Sequence, residues 1–148
     1  MINIIMKDVY VDAFRGVVKE TQNTTGYELP EHLEAYIVML LANYVERPDF
    51  LPEHGFANAY LILEKRSKYN AKELGDACLI VTGAFRTYGQ RHGIDKSYYQ
   101  NIGISSYEIV ANNLNYSLFD TLSKHFVFLS DFIYCVVSPK VQYKGLYC

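Results

Sequence analysis

Apolar residues recur every three to four positions along most of the chain, and no stretch alternates apolar and polar residues between hairpin turns. The pattern therefore predicts helices throughout. A first helix is expected over residues 8–22, where Tyr10, Phe14, Val17 and Val18 form an apolar stripe and Asn23-Thr24-Thr25-Gly26 breaks it. A second begins at Pro30, whose fixed φ and missing N–H suit a first helical position, and stops before Arg47-Pro48. Residues 48–55 read as a loop and 56–68 as a third helix. A fourth spans 71–92 and is closed by Gly93 in the left-handed conformation. The fifth opens on Asp95 as N-cap and reaches about residue 112; the sixth opens on Ser117, with Asp120 three positions on, and runs to about 137.

In that sixth segment Phe119, Leu122, Phe126, Leu129, Ile133 and Val136 alternate steps of three and four, a seam that has to pack on other helices. The second and fourth helices are apolar on most sides and are expected at the centre. The predicted architecture is a single-domain all-α bundle of five to six helices over residues 1–148, with 138–148 as a C-terminal tail. No internal repeat or long linker divides it.

With 148 residues, half of them apolar, the chain builds an ordinary core without staples. A net charge of −2 gives no broad attraction for nucleic acid, and the short cluster Lys65-Arg66-Ser67-Lys68 beside Glu64 fits a solvated helix end. Cys78, Cys135 and Cys148 show no CxxC or CxxH spacing. That set argues against a zinc site or disulfide framework and fits a reducing compartment, with Cys78 and Cys135 as core packing. No uncharged apolar run nears the roughly 18 residues of a membrane span. The N-terminal apolar stretch meets Lys7, Asp8 and Asp12 too soon for an ordinary signal peptide. The expectation is a soluble cytoplasmic protein with no nucleic-acid or membrane partner.

The polar residues on apolar faces are the informative ones. In the fourth helix Asp76, Gly83 and Thr87 share one line, opposite the face that holds Leu74, Ala77, Cys78 and Val81. An interior helical glycine costs roughly 1 kcal/mol relative to alanine, so something approaches the backbone at Gly75 and Gly83. Either a neighbouring side chain fills the notch, or the notch floors a pocket walled by Asp76 and Thr87. The fifth helix likewise places Gly103, Ser105 and Ser106 between Tyr98-Tyr99 and Tyr107. Glu34 lies on a line with Val38, Leu41 and Val45, where a carboxylate must pair, reach solvent or serve as a functional acid. The candidate ligand-binding set is Glu34, Asp76, Gly83, Thr87, Tyr99 and Tyr107.

No catalytic residue is assigned, because the chain has no GxSxG, Walker or GxGxxG motif. No Glu is followed three residues later by His, which disfavours a di-iron bundle. His92 and His125 are weak candidates for a metal or haem, and no cofactor is expected. The residues favour a non-catalytic accessory, regulatory, ligand-binding or interaction protein. Its partner would be another protein or a small molecule, and a homodimer through an exposed helical face stays open. The competing class is a haem or metal protein, or a small enzyme using Glu34 or Asp76 as acid or base.

The order EHLEAYIVMLLANYVERPDF, ELGDACLIVTGAFRTYGQRHGIDKSYYQNIGISSYEIV and LFDTLSKHFVFLSDFIYCV resembles an uncharacterised family of small helical bacterial proteins, over roughly residues 28–137. The most specific stretch runs from Glu73-Leu74-Gly75-Asp76 through Gly83 to Asp95, Tyr98, Tyr99, Gly103 and Tyr107. The resemblance implies a compact bacterial helical domain and brings no activity or cofactor with it.

Overall fold

Helical period becomes helical structure: the fold is all-α, with six helices and no strand among the described residues of a computed structural model. Those residues are 2–46, 68–90, 93–114 and 117–138. The expected third helix, His54, His92 and most of the tail lie outside them. Helix α1 is Ile2–Thr25 and starts earlier than its apolar stripe. Gly26, at φ 81°, closes it by donating its N–H to Gln22 O at 2.9 Å. Helix α2 is Glu31–Glu46, and its first bond runs from Glu34 N–H to Pro30 O. Pro30 therefore sits just outside the helix. Glu31 and Glu34 occupy the first turn, where the helix dipole favours carboxylates.

Helix α3, Lys68–Ala84, ends about two turns before the expected point at residue 92. Phe85 N–H still reaches Val81 O, but residues 86–89 form a turn, and Gly89 takes φ 88°. The cause lies in Gly89: a Cβ there would stand 2.6 Å from Tyr99 Oη and 2.9 Å from its ring. The chain bends where only glycine lets Tyr99 come so close. Gly93 does adopt the left-handed conformation, at φ 72°, but it serves the following loop and not the end of α3. Helix α4 is Lys96–Leu114. Asp95 opens it as expected, its carboxylate accepting from Lys96 N–H at 2.7 Å and from the Ser97 hydroxyl at 3.0 Å.

The expected sixth helix is two, α5 (Ser117–Lys124) and α6 (Phe126–Val137), separated by His125. The interruption is slight, since His125 N–H reaches Thr121 O and Leu129 N–H reaches His125 O. All six seam residues, from Phe119 to Val136, are buried.

Packing divides the chain into two compact units, Met1–Asp49 with Ile133–Cys148, and Phe50–Phe132. In the first, α1 packs on α2, which buries Leu33, Ile37, Val38, Leu40, Leu41 and Ala42. In the second, α4 packs against both α3 and α5, and α3 is buried without a break from Leu74 to Gly83. None of the described helices is long and apolar enough to cross a membrane. Cys78 is a free buried thiol, as expected. Cys135 is buried as expected but is also disulfide-bonded, which corrects the reading of the cysteines as having no disulfide.

Candidate functional site

The second unit brings Asp76 and Tyr107 together. Asp76 is 8% exposed and Tyr107 fully buried, and the tyrosine hydroxyl donates to Asp76 Oδ1 at 2.6 Å. Lys72, one turn earlier on α3, donates to the other carboxylate oxygen at 2.9 Å. The pairing is possible because Gly75 has no side chain: a Cβ there would lie 2.6 Å from Tyr107 Cε1. Gly103 does the same for Phe126, since a Cβ would meet Phe126 Cε2 at 2.5 Å and Cys78 Cβ at 2.8 Å. Tyr107 in turn packs on Phe119 and Phe126, with ring centroids 6.0 and 5.8 Å away. Of the two sequence readings, close packing therefore holds at Gly75 and Gly103. The notches are filled by aromatic rings and the carboxylate is tied to one of them.

The other members of the expected set separate. Gly83 is buried in α3, but Thr87 stands exposed on the turn beyond the helix, so the line Asp76–Gly83–Thr87 does not exist. That line required the helix to continue past Ala84. Tyr99 is buried beside this turn, and the rings of Tyr88 and Tyr98 meet it edge-on at 5.3 and 5.1 Å, with interplanar angles of 72° and 85°. Burial, with Tyr88, Tyr98 and Cys78 nearby, pushes the Tyr99 phenol above its ordinary range. Tyr88 and Tyr98 each remain 39% exposed, and Phe85, just past the end of α3, is 41% exposed.

Glu34 belongs to the first unit. Its carboxylate accepts from Lys19 Nζ at 3.3 Å and from Gln22 Nε2 at 2.5 Å, while Gln22 Oε1 accepts from Leu29 N–H at 2.7 Å. Gln22 thus ties α1 to both the loop and α2. These residues line an open groove of about 650 Å³, together with Asn23, Gly26, Glu28 and Glu31. The sequence raised a pairing of Glu34 with an Arg or Lys of the next helix; the lysine comes instead from the preceding helix, α1. What the sequence did not show is that the partners would be Lys19 and Gln22. They lie one turn apart on α1, a spacing that identifies a common face but not what faces it.

His125 is exposed, and His92 lies outside the described residues. No group of three or more His, Cys, Asp or Glu suited to a metal occurs among the described residues. Among the described residues the arrangement thus includes two fixed carboxylates, a polar groove and an exposed aromatic surface. No family model, curated protein or solved structure matches the chain.

Proposed function

We propose that this chain is a non-catalytic docking module, an accessory or regulatory protein that binds another protein through the aromatic surface of its second unit. The observation that carries this reading is the cluster around Tyr99. Large aromatics are the usual anchors of protein interfaces, and here Phe85, Tyr88 and Tyr98 keep more than a third of their surface in solvent. The edge-on contacts of Tyr88 and Tyr98 with Tyr99, and the Gly89 turn beneath it, hold two of these rings in place before binding. Pre-positioned side chains lose less rotamer entropy on association. The acids that an enzyme reading would use are spent instead: Asp76 on Tyr107 and Lys72, Glu34 on Lys19 and Gln22. The cysteine spacing supports a cytoplasmic location and the family resemblance a bacterial source; the disulfide at Cys135 is the feature that weighs against that compartment. Resemblance to small helical bacterial proteins adds no activity to this reading.

The test uses the chain and its Tyr98→Glu variant side by side. A protein bound by the chain should be purified and its affinity measured by calorimetry. Loss of about tenfold or more in affinity, roughly 1.4 kcal/mol, at an unchanged melting temperature supports the proposal. Affinity indifferent to both Tyr98→Glu and Tyr88→Glu overturns it.

A second reading rests on the groove beside Glu34, which has the volume of a small-molecule site. Glu28, Glu31 and Glu34 outnumber Lys19 there, so its ligand would be a small organic cation. Stabilisation by a diamine that is lost in Glu34→Gln favours this reading over the first.

A further inference from the structure

Contacts in the second unit fix the register of α4 against its neighbours. Tyr107 faces Gly75 of α3 and Phe119 of α5, and Gly103 faces Cys78 of α3 and Phe126 of α6. Ser123 of α5 donates to Ile104 O at 3.2 Å. Numbers fall along α4 as they rise along α3 and along α5–α6, so α4 runs antiparallel to both. One turn beyond Gly103, Gln100 comes level with Thr82 of α3 and Ser130 of α6. Arg86, on the turn after α3, reaches the same stretch of α6, donating to Ser130 O at 3.3 Å and to Asp131 Oδ1 at 2.6 Å.

Two side chains at this level are buried donors with no acceptor. Gln100 is 7% exposed and Ser130 fully buried, and neither Gln100 Nε2 nor Ser130 Oγ has a hydrogen-bond partner among the described residues. Ser130 departs from the habit of four other helical hydroxyls. Thr21, Thr82, Ser106 and Thr121 each turn back to the carbonyl four residues earlier, at 2.8 to 3.0 Å. Ser130 Oγ makes no such bond. Buried polar groups left in this condition are ordinarily matched by a small bound acceptor.

We infer that Gln100 and Ser130 line an internal site for one small hydrogen-bond acceptor, a water molecule or a halide ion, between α3, α4 and α6. Both orphan groups donate, so the occupant must accept at least two hydrogen bonds. The Arg86 guanidinium adds positive charge at the same level and Asp131 balances it, which leaves room for either a neutral or a singly charged occupant.

The test is crystallographic, on the full chain, with crystals soaked in sodium bromide. The expected result is density within about 2.7–3.3 Å of both Gln100 Nε2 and Ser130 Oγ. An anomalous peak identifies a halide and density without one identifies water; both support the site. Absence of density, with Gln100 and Ser130 bonded to each other or to protein carbonyls, overturns it. In Gln100→Leu the density should vanish, with Ser130→Ala as the second variant if the first does not fold, and density unchanged in both also overturns the assignment. A halide occupant further predicts a higher melting temperature in bromide than in gluconate at equal ionic strength, a difference that Gln100→Leu should abolish.

Discussion

Gly103→Ala sets a helix-propensity gain against a packing loss in one substitution. Alanine is favoured over glycine in a helix interior by about 1 kcal/mol. Against this, the new methyl would stand 2.5 Å from Phe126 Cε2 and 2.8 Å from Cys78 Cβ. Neither neighbour can yield cheaply: Phe126 is buried against Tyr107, and Cys78 Cβ is attached directly to the backbone of α3. Forcing an extra methyl into a packed core costs about 1–3 kcal/mol, occasionally more. Because the overlap involves a rigid ring and a second helix at once, the upper part of that range applies, and a net loss of about 1–2 kcal/mol is expected. Gly16, exposed on α1 with nothing within 4 Å of a Cβ, is the internal control. Gly16→Ala should gain up to about 1 kcal/mol. Urea denaturation followed by circular dichroism reads both as midpoint shifts at constant slope. A Gly103→Ala protein as stable as the parent, or more so, would refute the notch.

Other substitutions probe the remaining polar contacts. Tyr107→Phe should cost about 1.5–3 kcal/mol in the same assay, because it removes a hydrogen bond to a buried carboxylate; a loss below about 0.5 kcal/mol would mean the bond is immaterial. Burial holds the Cys78 thiol protonated well above its ordinary range, so it should resist a thiol-reactive dye in the folded chain and react fully once unfolded in urea. Tyr99 keeps its proton in the folded state at pH values where the unfolded chain, with an ordinary value of 10.0, gives it up. Its contribution to stability is thus full below about pH 10 and declines as pH rises beyond it, and Tyr99→Phe should flatten that decline in alkaline melting curves. Lys19→Ala removes an ion pair whose lysine is largely exposed, and should change stability by no more than about 1 kcal/mol, less in high salt.

How far the sequence foretold this depends on which physical signal each element carries. The all-α class, α2 and the seam from Phe119 to Val136 were legible because apolar period speaks directly of burial. Asp95 was legible as a cap because a short carboxylate before a helical run has one good use. The end of α3 was not, since residues 85–92 continue a tolerable helical pattern. What stops the helix is Tyr99, ten residues beyond the turn it presses on. The same gap explains the candidate site. Composition and period marked Asp76, Tyr107 and the small residues as unusual, and they do meet. Whether a glycine notch is empty or filled, however, depends on which ring from another helix faces it. Glu34 shows the complementary case, with its lysine and glutamine partners brought in by the loop at residues 26–30.

The polar residues set on apolar faces therefore fall into two kinds, and the distinction locates what makes the second unit specific. Asp76 is satisfied, and its bond to Tyr107 passes over Gly75; moving α4 along α3 by one turn would separate donor from acceptor and drive the Tyr107 ring toward a residue that has a side chain. Gly103 enforces the same register one turn earlier on the same face of α4, since only there is there room for Phe126. Apolar burial alone would tolerate such a slide, because Leu, Ile and Val substitute for one another with modest penalties. Two aromatic rings seated on two glycines, with a carboxylate to receive one hydroxyl, do not tolerate it. Helix α4 is thereby fixed along its length, and that fixed length also sets Tyr98 and Tyr99 against the Gly89 turn where the proposed docking surface begins.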